Sequence, residues 1–96
     1  MSKPVPYTHV FSNKEFIAQY KKVDVRIRKA VAEKIRLFQQ NPYELRLNNH
    51  PLRDIREGYR SIDTTTDYRA VYKEVKEGGK INAYFFALGT HKELYG

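Results

Sequence analysis

The sequence contains no cysteine. Disulfide cross-links and zinc–thiolate sites are thereby excluded, and the composition fits a reducing, cytoplasmic setting. No stretch approaches the roughly 20 apolar residues of a membrane-spanning helix. The opening residues, MSKPVPYTHVF, lack the apolar core of a secretory signal, so no membrane association is expected. Acidic residues are few. Eleven Asp and Glu stand against eighteen Lys and Arg, giving a net charge of +7 and a pI near 9.7. Such an excess favours nucleic acid, an acidic protein or an anionic surface as partner. No repeat, low-complexity stretch or linker interrupts the 96 residues, so 1–96 is expected to form one domain around one modest core.

What is present is patterned. Residues 5–11, VPYTHVF, read as a first strand with Pro6 near its start. Ser12 and Glu15 have capping-box spacing, which predicts a helix start there, with Phe16, Ile17 and Tyr20 as its apolar stripe. Asp24 is placed to cap a second helix in which Ile27, Val31, Ile35 and Phe38 recur at helical spacing. Asn41-Pro42 ends it near Gln40. The outward faces of this hairpin are basic, with Lys21, Lys22, Arg26, Arg28, Lys29, Lys34 and Arg36 offset only by Asp24 and Glu33. That pattern suits either a solvated face or contact with phosphates or an acidic partner. Residues 41–55 have no period and read as an ordered loop. Three strand-like runs follow: GYRSIDTT, DYRAVYKEV and INAYFFALG, with Gly78-Gly79 as a hairpin turn. The tail HKEL reads as a turn. The expected fold is α+β: the order β-α-α-β-β-β, an antiparallel-dominated sheet packed by two N-terminal helices.

The candidate chemistry lies in the second half. His9 falls within the first strand and reads as structural, whereas His50 opens HPL in the loop and His91 follows Gly-Thr at the exit of the last strand. Arg60, Asp63, Asp67 and Tyr68 lie on the strands and turn between them. Strand alternation puts Tyr59, Ser61 and Asp63 on one face and Arg60 and Ile62 on the other. The loop bearing His50 and the strand exit bearing His91 are expected to lie close across a small sheet. Histidines, an arginine, carboxylates and tyrosines on a basic domain suit phosphodiester cleavage. Such cleavage needs a base for the ribose 2′-OH, an acid for the leaving 5′ oxygen and a cation for the phosphorane. Metal-ligand spacing such as HExxH is absent, and no metal or other cofactor is expected.

Taken in order, HPL, GYRSID, DYRAVYK and GTHKELYG, over residues 48–96, closely resemble the YafQ-like branch of the RelE/ParE superfamily. These are toxins of bacterial type II toxin–antitoxin modules. The resemblance implies a small α+β toxin fold and metal-independent mRNA cleavage in the ribosomal A site. It also implies a free monomer and a cognate antitoxin that masks the site. It assigns acid–base roles to His50 and His91, either of which can be the acid, and phosphate binding to Arg60. It gives supporting roles to Asp67 and Asp63, and base stacking to Tyr68 and Tyr95. Lys21, Lys22, Arg26, Arg28 and Lys29 would add RNA contacts. One departure stands out. Asp63 occupies a position that in the family usually carries a histidine, and Ser61 one that often carries an acid. Asp63 can orient a histidine but, with a reference pKa of about 3.9, is a poor acid at neutral pH. The resemblance therefore admits a second outcome, a non-catalytic binder or a ParE-like topoisomerase inhibitor.

Overall fold

Asn13, rather than Ser12, opens the first helix. In the computed structural model, which describes residues 7, 9–52 and 58–95, Ser12 still belongs to strand β1 (His9–Ser12). The Asn13 side chain accepts a 2.9 Å bond from the Phe16 amide and starts α1 (Lys14–Lys22). The predicted cap is thus displaced by one residue, because extended pairing holds Ser12. Of the predicted first strand, residues 5, 6 and 8 lie outside the described residues. Helix α2 (Val25–Gln40) ends where Asn41-Pro42 predicts. Asp24 precedes it but makes no side-chain cap. Arg28 secures the corner instead, donating from Nη1 to the carbonyls of Lys21 (3.3 Å) and Val23 (3.2 Å) at the end of α1. The predicted loop contains a 3-10 turn at Leu45–Leu47 and a two-residue strand, β2 (His50–Pro51); its residues 53–55 lie outside the described part.

Strands β3 (Tyr59–Asp63), β4 (Tyr68–Glu77) and β5 (Lys80–Thr90) complete a five-stranded sheet in the order β1-β5-β4-β3-β2. Only β1 and β5 pair in parallel; every other pairing is antiparallel. The α+β architecture expected from the sequence is the one observed. Gly78 and Gly79 connect β4 to β5 with φ of 53° and 80°, the left-handed geometry that makes a tight hairpin turn follow the sheet's twist. The register of this hairpin shifts once. Val71 faces Ala87 but Tyr72 faces Phe85, so Phe86 is an extra residue on β5.

The two faces of the sheet are covered differently. Ile62, Ala70, Tyr72, Ala83, Phe85 and Leu88 are buried on one, against Phe16 of α1, Val31 and Phe38 of α2, and Tyr7. The other face carries Tyr59, Ser61 and Asp63 from β3 with their register partners Lys73, Val71 and Arg69 on β4. Neither long helix covers this second face, and it holds most of the candidate chemistry.

Candidate active site

His50 is set by Asn48, two residues before it. Asn48 adopts a left-handed conformation (φ 47°), which asparagine tolerates better than most residues. This bend points its carbonyl at His50 Nδ1, 2.7 Å away, and its side-chain amide at Asp63 Oδ2, 3.2 Å away. A carbonyl can only accept, so His50 Nδ1 carries the proton. In the neutral ring Nε2 is then left as an acceptor. Asp63 in turn lies 2.9 Å from Arg69 Nε, an ionic contact rather than an aligned hydrogen bond. Register confirms the cluster: His50 faces Ser61 across β2–β3, and Asp63, Arg69 and Gly89 form one row across β3, β4 and β5. The Ser61 hydroxyl is buried beside His50 without a partner among the described residues.

His91 is presented by a helix of five residues, α3 (His91–Tyr95), which the sequence suggested only as a turn. Thr90 and Glu93 form a reciprocal capping box. The Thr90 amide donates to Glu93 Oε1 (2.8 Å) and the Glu93 amide to Thr90 Oγ1 (3.1 Å). His91 is therefore the first residue of that helix, exposed at the sheet's end. Gly89 permits the fold-back, since a Cβ there would lie 3.1 Å from Glu93 Oε1 and 3.3 Å from Glu93 Cβ. Gly89→Ala is expected to tilt α3 away and weaken the capping box. The expected readout is faster amide exchange at Thr90 and Glu93 and reduced activity, with the melting temperature changed by only a few degrees. Unchanged exchange would refute that role for Gly89.

His50 and His91 are not neighbours. Strands β3 and β4 lie between β2 and β5, about 14 Å at ordinary strand spacing, and His50 is level with Ala87, four residues before His91. The expectation that the two segments lie close together is corrected to one in which they flank the Asp63–Arg69 pair. Asp67 lies in the turn just before β4, exposed at the same end as His91, because Tyr68 is paired with Thr90.

Arg60 lies on the opposite face from His50 and Asp63. It shares a face with Ile62 and Tyr72, the helix side of the sheet, and points away from His50 and Asp63. Its Nε donates to Asn49 Oδ1 (2.8 Å) and its guanidinium lies 5.7 Å from the Tyr43 ring centre. From Asn49 a directed chain runs inward. Asn49 Nδ2 donates to Tyr72 (2.8 Å) and also to the Pro42 carbonyl (2.9 Å). The Tyr72 hydroxyl lies 2.9 Å from that of Tyr7, and Tyr7 donates to Glu74 (2.5 Å). Since Tyr7 gives its proton to Glu74, Tyr72 is the donor to Tyr7. A cation thus closes one end and a carboxylate the other, and Asn49 is fixed beside His50. The Arg60 guanidinium is thus engaged with Asn49 and Tyr43 on the helix side rather than directed at the His50 face. Sequence reasoning missed both Asn49 and Arg69. The ladder partner of Asp63 was available only if the register of the β3–β4 hairpin was known.

This chain has a consequence at high pH. Burial, then the bond to Glu74, pushes the Tyr7 phenol far above its ordinary range, and burial also raises Tyr72. Unfolded tyrosines ionise near pH 10. The folded state therefore keeps protons that the unfolded chain releases. The stabilisation from these groups is complete below about pH 10 and is lost as the pH rises further. In an ultraviolet titration, two of the eight tyrosines should stay protonated until alkaline unfolding. Ionisation of all eight in the folded chain would contradict this.

The remaining site candidates lie elsewhere. Tyr68 packs against the core from the helix side, so it cannot stack a base on the His50 face. Tyr95 closes α3, and its side chain lies outside the described part. Lys21, Lys22, Arg26 and Lys29 are exposed on the helix layer, across the sheet from His50, and Arg28 is engaged in the helix corner. They form a second basic surface. Among the described residues, no group of three or more His, Asp or Glu is arranged to hold a metal ion, and no helix is long and apolar enough to cross a membrane.

A five-stranded sheet of this order, with a helical hairpin on one face and polar chemistry on the other, is the fold of the RelE/ParE superfamily of toxins, YafQ-like proteins among its relatives. Three solved structures illustrate the likeness. A YoeB/ParE toxin from Agrobacterium tumefaciens superposes with a TM-score of 0.69 at 20% identity, covering 88% of this chain and 99% of that one. The toxin–antitoxin complex RelBE2 from Mycobacterium tuberculosis gives 0.66 at 26% identity, covering 95% and 98%. The DinJ–YafQ complex from E. coli gives 0.61 at 23% identity, covering 91% and 97%. No protein-family model matches the sequence, and no curated protein does.

Proposed function

We propose that the chain is the toxin of a type II toxin–antitoxin pair, and that it is a cytoplasmic endoribonuclease that cuts mRNA on the ribosome without a metal. The observation that carries this reading is His50. Its Nδ1 proton is committed to the Asn48 carbonyl, which leaves Nε2 as an acceptor on the same face of the sheet as Arg69, two strands away. In this mechanism Nε2 takes the proton of the 2′-OH. The resulting alkoxide attacks the adjacent phosphorus, and the bond to the 5′ oxygen breaks as His91 supplies a proton. Arg69, one strand from His91 and two from His50, stabilises the charge that accumulates on the phosphate. Asp63 orients Asn48 and Arg69. It does not transfer protons. The exposed lysines and arginines of the helix layer contact ribosomal RNA. Antitoxins are present in the DinJ–YafQ and RelBE2 complexes. By analogy, a cognate antitoxin covers this face.

The test is translation-coupled mRNA cleavage by the wild type and by His91→Ala. Equal cleavage by both would remove His91 from the mechanism. A second reading is supported by the separation of the two histidines and by Asp63: a binder that arrests growth by occlusion or by inhibiting a topoisomerase. Growth arrest with intact mRNA and inhibited gyrase would select it.

A further inference from the structure

The open face continues past the histidine cluster into a row of aromatic rings that no proton-transfer role uses. Tyr59, Lys73, Tyr84 and Phe11 are successive register partners across β3, β4, β5 and β1. Side chains directly opposite one another share a face, so all four project from the side that the long helices leave open. Phe86 joins them through the bulge. In a regular strand it would alternate away from Ala87, but the extra residue turns it to the same side, where its ring meets Tyr59 edge-on at 5.1 Å. Phe11 stacks on Tyr84 at 4.9 Å, and Lys73 Nζ lies 5.4 Å from the Tyr59 ring centre. Phe11 is 43% exposed, and Tyr59, Tyr84 and Phe86 are half-buried.

Rings in this number on a face that neither long helix covers mark a binding surface. Three observations identify its ligand. A cation sits among the rings, so the surface offers flat apolar groups and a positive charge together. The residues separating the ring row from the Asp63–Arg69 row are small: Ser61, Val71 and Ala87. They set the ring row four residues along β3 and β4 from the Asp63–Arg69 row on the same face, with Ser61 and Val71 buried between the two. The chain as a whole carries +7. Base planes against rings and phosphates against Lys73 and Arg69 satisfy all three, and this is how single-stranded nucleic acid is held without sequence readout.

Resting on the ribonuclease reading above, we propose that Phe11, Tyr84, Phe86 and Tyr59 with Lys73 form a stacking platform for the single-stranded RNA that flanks the scissile phosphate. The bulge at Phe86 exists to complete it. A duplex cannot use the platform, because its bases are already stacked.

The experiment is fluorescence anisotropy with a labelled single-stranded oligoribonucleotide bearing 2′-O-methyl riboses, which 2′-OH chemistry cannot cut. Phe86→Leu and Phe11→Leu keep apolar bulk but lose the π-face. Each should weaken binding about 5- to 100-fold, the loss of one stacked base. Lys73→Ala should lower the slope of log affinity against log salt by about one. Duplex RNA of the same sequence should bind more weakly than the single strand. Wild-type aromatic proton shifts on oligonucleotide addition give the same answer without any variant, should one fail to fold. Equal affinity of wild type and leucine variants, or no ring shifts, overturns the proposal. So does loss of an acidic peptide's binding in the variants while RNA binding is unchanged, which would make the face a protein-docking surface. Because the oligonucleotide cannot be cut and no ribosome is present, failure of translation-coupled cleavage leaves this result separately readable.

Discussion

His50→Ala is expected to reduce translation-coupled mRNA cleavage by roughly 10²–10⁴-fold, the usual contribution of one positioned acid or base. The argument rests on the hydrogen bond from Nδ1 to the Asn48 carbonyl, which leaves Nε2 as the proton acceptor. His50→Gln provides the control. Its side-chain amide can still donate to that carbonyl but cannot accept a proton at neutral pH, so activity should remain low while the loop is preserved. His50 is only partly buried at a sheet edge, so the melting temperature should move little in either variant. Arg69→Ala should also lower cleavage with little loss of stability. Arg60→Ala should do the reverse, lowering the melting point first, because Arg60 supports Asn49 on the helix side. Comparing these two arginines separates the site derived from the geometry from the one suggested by motif order. Cleavage lost in Arg60→Ala without thermal destabilisation would return Arg60 to a direct role.

Tyr72 should be the costliest single position for stability. It is fully buried, and its ring meets Phe38 at 4.9 Å, Phe85 at 5.1 Å and Tyr7 at 5.6 Å. Tyr72→Ala should remove about 3–5 kcal/mol, as buried aromatic truncations do, from a total of about 5–15 kcal/mol. Tyr72→Phe keeps the ring and deletes only the hydroxyl. Asn49 retains its bond to the Pro42 carbonyl and Tyr7 its bond to Glu74, so the cost should be nearer 1–3 kcal/mol. At about 4–8 °C per kcal/mol for a domain of this size, thermal denaturation distinguishes the two. An equal drop in both variants would place the whole effect in the hydroxyl chain rather than the ring.

The contrast between Arg60 and Arg69 shows what was legible in the sequence. The helices, their apolar stripes and the three main strands were readable because period and punctuation agree, as with Val31 and Phe38 in α2 or Gly78-Gly79 between β4 and β5. Alternation also put Arg60 opposite Asp63 correctly. It could not say which face the helices cover, since Ile62 and Tyr59 are both plausible core residues. That choice is made by Phe38 and Tyr7 packing on Tyr72, contacts far apart in sequence. His50 and His91 could be picked out as candidates but not placed. Their separation depends on strand order, and β5 pairs with β1 as well as β4, which no local pattern reveals. The Asn48 bend and the Phe86 bulge are single-residue irregularities, and periodicity is least informative there.

Among the described residues strand β1 pairs only with β5, and Tyr7 meets Tyr72, 65 residues later. During synthesis the first strand therefore waits for its sheet partner until residues 82–85 have been made. At about 5–20 residues per second this is an interval of several seconds. The helical hairpin, whose contacts are local, can form meanwhile, but the face with His50, Arg69 and His91 cannot.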